Sequence, residues 1–235
     1  MNNKMTVIMP CSGDGSRLNI WFEKELFPLR SGETIIDIIM NALINSKNID
    51  RVVFIINGKR NRLVNYLHRY KEYIDILFIY GLETPYKDVV GSIYSAAAYI
   101  SKYNLLIFPD TIIESLDYFV SLISEELKQA EDNFPVFLAK QESNKIVLQD
   151  EGVLQVVNDR VVLIGDKLGN NFTKEFNAIW CGIAFKKNFF EKLVYILNST
   201  INYKCVEKLE GKVIWVEEYI DLGEWNRIKK YYGKN

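Results

Sequence analysis

Apolar residues in the first half of the chain fall into two alternating patterns. Short continuous runs rich in β-branched side chains predict buried strands, and apolar residues three and four apart predict helices between them. The predicted strands are Met5–Met9, Arg51–Ile56, Ile74–Tyr80 and Leu105–Phe108, and the predicted helices contain Ile36–Ile44, Leu63–Tyr70 and Gly91–Ile100. Thr34 and Asp37 have the spacing of a capping box before the first helix. This βαβαβ order favours a mostly parallel sheet with helices on its faces.

The pattern changes after residue 134. Pro135–Lys140 is followed by short alternating strands around the turns Glu151-Gly152 and Asn158-Asp159, which predicts an antiparallel excursion that walls part of a cleft. Asn177–Phe185 is a further apolar strand. Gly182 within this strand indicates a bulge or a close approach of the backbone, where a ligand is one candidate for the neighbour.

The composition is that of an ordinary globular protein. The chain has 235 residues, 49% hydrophobic and 25% charged, with a formal net charge of -1, which predicts one soluble domain. A near-neutral chain has no strong positive electrostatic field that would attract a nucleic acid or an anionic membrane, so neither is expected as a partner. Three widely spaced cysteines suit neither a disulfide framework nor a metal site, which favours a reducing compartment. Because the sequence has neither a signal-peptide pattern nor an apolar run of about 20 residues, the expected location is the cytoplasm.

A glycine-spaced turn follows the first predicted strand at once. Ser12-Gly13-Asp14-Gly15-Ser16 can present several backbone N–H groups to one anion, because glycine permits positive φ and close approach. Arg17 adds a guanidinium fork suited to phosphate oxygens, and Lys24 adds a compact positive charge. The segment therefore predicts a phosphate-binding loop. A Gly-x-Gly turn alone also fits an ordinary strand-to-helix connection.

Acidic residues follow several of the predicted strands. Asp110 comes directly after the fourth strand, at the sheet edge where ligands gather in open α/β folds, and a carboxylate there suits Mg²⁺. Asp221 ends the last predicted strand and supplies a second acid, although either aspartate could instead cap a following helix. Asp166-Lys167 offers an acid beside a base, with two solvated turn residues as the alternative. His68, the only histidine, has no acid or thiol partner nearby and is expected on the surface.

Together these segments resemble the nucleotidyltransferase family that activates sugar 1-phosphates, which includes bacterial glucose-1-phosphate thymidylyltransferases and their short relatives. The family signature is a strand followed by G-x-G-x-R-L and a P-K-x-L block, then a metal-binding aspartate, an acid–lysine pair, a glycine in the sugar-binding strand and a late D-x-G acid. The corresponding residues, in chain order, are Gly13–Leu18, Lys24–Leu29, Asp110, Asp166-Lys167, Gly182 and Asp221-Leu222-Gly223. The resemblance spans most of the chain.

This resemblance implies both a fold and a reaction. The fold is a Rossmann-like, three-layer α/β/α nucleotidyltransferase fold of the GT-A type, with a mostly parallel mixed sheet and a small antiparallel excursion. One domain, 1–235, contains a nucleotide-binding half over 1–134 and a sugar-phosphate-binding half over 135–235. The reaction transfers a nucleoside monophosphate from a nucleoside triphosphate to a sugar 1-phosphate and releases pyrophosphate, with Mg²⁺ as cofactor. No general base is needed, because the second pKa of a phosphate monoester is about 6.

The resemblance also implies a role for each matched residue. Arg17 holds the departing phosphates, Lys24 contacts the reacting phosphate, and Mg²⁺ is held by Asp110 and Asp221. Lys167 holds the sugar phosphate and belongs to the catalytic set with Arg17, Lys24 and Asp110. The implied nucleotide-binding residues are Ser12, Gly13, Asp14, Gly15, Ser16, Arg17, Lys24, Glu83 and Gly91, and the implied sugar-phosphate residues are Asp166, Lys167 and Gly182.

Three positions depart from the family pattern: Ser12 replaces a glycine, Glu23 a proline and Pro109 a glycine. None of these changes removes a charged group. Glu83 and Thr84 correspond only approximately to the polar residue with which relatives read the base. The sequence therefore identifies neither the nucleotide nor the oligomeric state. A homo-oligomer is compatible with it.

Other functions stand as alternatives. A cytidylyltransferase for phosphocholine or another small alcohol phosphate would use an aromatic cage, for which Trp21 and Trp180 are candidates. A nucleotide-binding or regulatory relative that has lost turnover is a second alternative. A dinucleotide-dependent dehydrogenase is disfavoured because Leu18 occupies the third glycine position, and a P-loop is excluded by the missing Gly-Lys-Ser/Thr ending.

Overall fold

The computed structural model of the chain describes residues 4–13, 18–169, 176–201 and 205–233. The strands are β1 Met5–Pro10, β2 Ile49–Ile56, β3 Asp75–Tyr80, β4 Tyr103–Ile107, β5 Thr111–Ile113, β6 Val136–Gln141, β7 Gly152–Val157, β8 Arg160–Asp166, β9 Ala178–Lys186, β10 Cys205–Trp215 and β11 Tyr219–Asp221. The helices are α1 Ile35–Asn45, α2 Asn61–Leu67, α3 Asp88–Ser95, α4 Leu116–Gln129, α5 Lys145–Gln149, α6 Phe190–Thr200 and α7 Trp225–Gly233.

A nine-stranded mixed sheet forms the centre of the fold, in the order β3-β2-β1-β4-β9-β6-β10-β8-β7. The first four strands in this order run parallel, as the apolar runs predict. Beyond β4 the sheet turns antiparallel, apart from the parallel pair β6–β10. Because β9 pairs with both β6 and β7, the last five strands of the order close into a ring. This ring contains the predicted antiparallel excursion.

Helices cover both faces of the sheet, which confirms the three-layer α/β/α architecture. Along β1, Val7 and Met9 share a core with α1, α2 and α4, whereas Ile8 between them shares a core with α3 and α6. This alternation is what a strand buried on both faces requires. The first-half strands and helices are confirmed, although α3 spans Asp88–Ser95 rather than Gly91–Ile100 and is followed by a single 3-10 turn at Ala97–Tyr99. Helices α4, α5 and α6 were not among the predicted elements.

The predicted capping box at the start of α1 is confirmed and extends into a larger network. The Asp37 carboxylate accepts a hydrogen bond from the Thr34 backbone N–H at 2.7 Å, and the Thr34 hydroxyl accepts one from the Asp37 N–H at 3.3 Å. The hydroxyls of Tyr66, at 2.7 Å, and Tyr70 donate to the same carboxylate. Burial alone would raise the pKa of Asp37, but these hydrogen bonds outweigh burial and lower it below 3.8.

His68 is exposed and stacks on Phe78 with the ring centroids 5.8 Å apart, which confirms that it lies at the surface. Within the described ranges, none of the helices combines the length and apolar character needed to span a bilayer.

We predict that Asp37→Asn lowers the free energy of unfolding by about 1–2 kcal/mol near neutral pH, because one charged acceptor serves three donors. The stabilisation is present above the unfolded pKa and is lost as the pH falls through the lowered folded pKa, that is, below 3.8. Urea unfolding at about pH 7 and about pH 3 should therefore show the difference from wild type shrinking in acid. Asp150→Asn, at an exposed residue, is the control. A difference that is constant or larger in acid would contradict this assignment.

Candidate active site

Lys24 and Asp110 form an ion pair at the carboxyl end of β4. The Lys24 ammonium donates to Asp110 Oδ2, and both side chains are largely buried, at 15% and 12% exposure. Burial alone would lower the pKa of Lys24, but the attraction and hydrogen bond of Asp110 outweigh it and raise the pKa. The lysine is therefore a fixed positive charge throughout the neutral pH range.

Glu25, next to Lys24, anchors this segment to the loop before α2. Its Oε2 accepts a hydrogen bond from Arg60 Nη1 at 3.1 Å, and the two side chains are 0% and 4% exposed. Burial raises the pKa of Glu25, and the Arg60 charge opposes that rise. The other oxygen of Glu25 and Arg60 Nη2 have no hydrogen-bond partner within the described part of the chain. A buried ion pair of this kind makes removal of one partner costly.

Glu23 anchors the same segment from the other side of Lys24. Its Oε1 accepts hydrogen bonds from two backbone N–H groups in the first turn of α2, at 3.2 Å and 3.4 Å. The N-cap residue of α2, Arg60, makes no side-chain capping bond. Glu23 therefore caps this helix from a distant part of the chain. This gives the unusual glutamate a structural role that leaves Lys24 in place.

Asp221 reaches Asp110 because the short strands β5 and β11 pair in antiparallel fashion. Asp221 lies opposite Thr111, and the Leu222 N–H donates to the Asp110 carbonyl at 2.8 Å. The two aspartates predicted as metal ligands therefore occupy neighbouring register positions where β5 and β11 pair. The helix-cap alternative is wrong for both, since Asp110 precedes a strand and α7 begins only at Trp225.

Two charged residues of this site, Arg227 and Glu151, were not predicted from the sequence. Arg227 Nη1 donates to Asp221 Oδ2 and to Glu151 Oε1, the second contact being 2.5 Å long. Burial raises the pKa of Glu151 to about 7, against the attraction of Arg227. No local motif identifies this pair, because Glu151 precedes β7 and Arg227 belongs to the terminal helix. Proximity in sequence to Asp221 would have indicated Arg227 but not Glu151.

Asp166 and Lys167 lie beside Glu151. Asp166 pairs with Gly152 across β7 and β8, and the Lys167 N–H donates to the Glu151 carbonyl at 2.9 Å. Lys167 is exposed and has a φ of 45°, a strained conformation for a residue with a side chain, of the kind found at functional sites. Burial raises the pKa of Asp166, with Lys167 acting against this rise. The acid–lysine pair is therefore connected through Glu151 and Arg227 to Asp221.

Gly182 lies at a bulge in β9, as its position in the strand predicted. Leu138 pairs with Gly182 and Ala139 with Trp180, which leaves Cys181 as the extra residue. A Cβ on Gly182 would lie 3.0 Å from a methyl group of Ile107 and 3.2 Å from the Leu106 carbonyl. The missing side chain is thus explained by the close approach of β4, and a ligand contact at Gly182 stays a prediction.

The predicted nucleotide side is only partly within the described residues. Asp14, Gly15, Ser16 and Arg17 lie outside them. The carbonyl of Ser12 accepts from Asn57 Nδ2 at 2.5 Å, and its hydroxyl forms a hydrogen bond with the Ser92 hydroxyl of α3. The end of β1, with Gly13 next to Ser12, is thereby connected to α3.

The segment before α3 contains the candidates for base recognition. Glu83 is exposed, and the Thr84 hydroxyl donates to the Tyr86 carbonyl at 2.9 Å. A Cβ on Gly91 would lie only 2.7 Å from the same carbonyl, so this loop packs on α3 only because Gly91 has no side chain. The loop and Gly91 thus lie next to the Ser12–Ser92 contact.

A family model described as nucleotidyl transferase matches residues 6–146 of the 235 residues. No curated protein matches the chain by sequence. The matched range contains Lys24, Asp110 and the glycine-spaced loop.

Several solved structures share the fold at low sequence identity. A Bacillus anthracis protein assigned as a glucose-1-phosphate thymidylyltransferase, in complex with sucrose, has 14% identity and a TM-score of 0.76, with 98% of this chain and 94% of that chain covered. UDP-glucose pyrophosphorylase from Acinetobacter baumanii has 10% identity and a TM-score of 0.72, with 98% and 93% covered. HddC from Yersinia pseudotuberculosis has 17% identity and a TM-score of 0.68, with 98% and 99% covered.

We predict that Arg60→Met lowers the free energy of unfolding by about 3 kcal/mol or more, because it leaves the buried Glu25 carboxylate without its cation. The double variant Glu25→Leu/Arg60→Met should recover most of this loss. Arg51→Met is the control, since it breaks the exposed Arg51–Asp75 pair and should cost less than about 1 kcal/mol. Urea unfolding measures all three variants. Equal losses in Arg60→Met and Arg51→Met would contradict the anchoring role of Glu25–Arg60.

Proposed function

The chain belongs to the nucleotidyl transferase family, and we propose that it transfers a nucleoside monophosphate from a nucleoside triphosphate to a sugar 1-phosphate. The observation that carries this proposal is the β5–β11 pairing, which brings Asp221 to the register position next to Asp110, while Asp110 is paired with Lys24 and the charge of Asp221 also acts on Lys24. Phosphoryl-type transfer depends on positioning and on neutralisation of charge, and these residues are suited to both. The expected catalytic set is Arg17, Lys24, Asp110 and Lys167.

In the proposed reaction, an oxygen of the sugar 1-phosphate attacks the α-phosphorus of the triphosphate. The new phosphorus–oxygen bond forms as the bond to the β-phosphate breaks, and pyrophosphate leaves with that electron pair. The attacking phosphate is already largely ionised near neutral pH, since its second pKa is about 6. The reaction therefore needs no general base, in agreement with the surface position of His68.

Lys24 is suited to hold phosphate oxygens of the nucleotide, because its charge is fixed and its segment is anchored on both sides. The N–H groups of the glycine-spaced loop and Arg17 would bind the departing phosphates. On the acceptor side, Lys167 would bind the sugar phosphate and Asp166 would accept hydrogen bonds from sugar hydroxyls. These roles correspond to a nucleotide half over 1–134 and an acceptor half over 135–235, with β5–β11 as the connection.

Asp110 and Asp221 have the donor chemistry that a magnesium ion requires. Mg²⁺ takes one or two protein carboxylates and fills its other positions with phosphate oxygens and water, so two adjacent aspartates fit it. A larger acidic site is not needed, and no cluster of three His, Cys, Asp or Glu ligands occurs within the described ranges. When bound, the ion would neutralise charge that develops on the phosphates.

The alternative acceptor, phosphocholine, has less support. Trp21 is 81% exposed, and the guanidinium of Arg62 lies 4.7 Å from its ring centroid. Trp180 is buried, with Phe108 at 5.5 Å and Gly152 against its indole nitrogen. The two tryptophans thus have separate neighbours rather than a shared cation cage. We keep the sugar 1-phosphate as the proposed acceptor, and the cytoplasmic location stays a prediction.

We predict that Asp110→Asn and Asp221→Asn each lower pyrophosphate release by about 100-fold or more, because each removes a charge that binds the metal ion at the reacting phosphates. Release is measured with the common nucleoside triphosphates, a panel of sugar 1-phosphates, phosphocholine and Mg²⁺. Asp75→Asn, in the exposed pair on β3, is the control and should keep full activity. Activity only with phosphocholine would contradict the proposed acceptor. Nucleotide binding without pyrophosphate release from any pair would favour an inactive relative.

We predict that Lys167→Met raises the KM for the sugar 1-phosphate by about tenfold and leaves the KM for the nucleoside triphosphate nearly unchanged. The physical reason is that, in the proposed complex, the lysine would contact only the acceptor phosphate. Steady-state kinetics with each substrate varied in turn provides the measurement. Lys145→Met, at an exposed lysine of the same half, is the control. An equal rise in both KM values would contradict the assignment of Lys167 to the acceptor.

A further inference from the structure

Arg227 connects two acids of the proposed active site through a single nitrogen. Its Nη1 donates to Asp221 Oδ2 and, at 2.5 Å, to Glu151 Oε1. The side chains of Arg227, Glu151 and Asp221 are 26%, 10% and 16% exposed, so these charges are mostly withdrawn from water. Neither Arg227 nor Glu151 has a role in the reaction described above.

The terminal helix α7 holds Arg227 in this position. Trp225 Nε1 donates to the Leu18 carbonyl at 2.6 Å, and the Tyr232 hydroxyl donates to the Pro28 carbonyl at 2.7 Å. Ile228 is buried in the core beneath the helix. The helix is thus fixed at both of its ends to the segment that contains Lys24, and Arg227 is a built part of the site.

The guanidinium and a divalent cation need the same carboxylate. In the proposed function Asp221 binds Mg²⁺, whereas in this structure Asp221 Oδ2 accepts a hydrogen bond from Arg227. Two cations on one carboxylate repel each other, and this repulsion is strong where the surroundings exclude water. Arg227 and the metal ion would therefore each weaken the binding of the other to Asp221.

We propose that Arg227 is an internal competitor of the divalent metal ion at Asp221, an inference that rests on the proposed function. Competition lowers the affinity of the site for the free ion. The ion binds well only together with the substrate phosphates, whose oxygens supply further ligands. Metal binding is thereby tied to the arrival of the nucleotide. Glu151 keeps its contact with Arg227 when Asp221 is released, so the guanidinium stays in the cleft and faces the incoming phosphates.

The test is the affinity of the full-length protein for Mn²⁺ alone, without nucleotide, measured from the electron paramagnetic resonance signal of the free ion. Arg227→Met should bind Mn²⁺ roughly tenfold more tightly than wild type, because the competing charge is gone. Arg227→Lys retains the charge and should bind close to wild type. Lys230→Met removes an equal charge from an exposed position on the same helix and should change the affinity by less than about twofold.

An unchanged or weaker affinity in Arg227→Met would overturn the competition. Should Arg227→Met fail to fold by circular dichroism, Glu151→Gln decides, because it leaves Asp221 as the acidic partner of Arg227 and should weaken Mn²⁺ binding several-fold. Asp150→Asn, at the exposed neighbouring residue, is its control, and no difference between these two variants would also overturn the proposal.

Asp221→Asn separates this inference from the proposed function. If Asp221→Asn loses Mn²⁺ binding while Arg227→Met gains none, the competition is wrong and the metal site stands. If Asp221→Asn binds Mn²⁺ like wild type, the metal assignment fails and the competition fails with it.

Discussion

The candidate site depends on a short antiparallel pairing between two three-residue strands. The pairing of β5 with β11 brings Asp221, which lies near the end of the chain, next to Asp110, which follows β4. The pairing joins the parallel part of the sheet to the last strand of the chain through backbone hydrogen bonds, including the one from Leu222 to the Asp110 carbonyl. Backbone pairing fixes the positions of Asp110 and Asp221 along the chain relative to each other, because each residue has a defined register.

Carboxylates that lie together in a partly buried cleft repel each other, and the structure balances them with cations from separate elements. Lys24 pairs with Asp110, and Arg227 pairs with both Asp221 and Glu151. Each cation is held by its surroundings, Lys24 between two anchored glutamates and Arg227 on a helix that is fixed at both ends. The charges of the site are therefore oriented before a ligand arrives, as the proposed binding of phosphates would require.

Local sequence signals predicted much of the fold and part of the site. The apolar runs predicted β1 to β4, and the capping box at Thr34 and Asp37 marked the start of α1, because both depend on neighbouring residues. The position of Asp110 followed from the rule that ligands gather at the carboxyl ends of parallel strands. The helix-cap alternative for this residue failed because β5 is a strand only through its pairing with β11, which no local pattern records.

The parts that could not be predicted depend on contacts between distant segments. Glu23 departs from the family pattern, yet its side chain caps α2. Gly182 lacks a side chain because β4 packs closely against it. Glu151 and Arg227 meet only in the folded chain. The central claim, transfer to a sugar 1-phosphate, is tested most directly by ³¹P nuclear magnetic resonance of wild-type protein with Mg²⁺, nucleoside triphosphates and sugar 1-phosphates. The expected products are pyrophosphate and a sugar nucleotide, which gives a pair of coupled resonances. Nucleoside diphosphate with inorganic phosphate, or unchanged substrates across the panel, would contradict it.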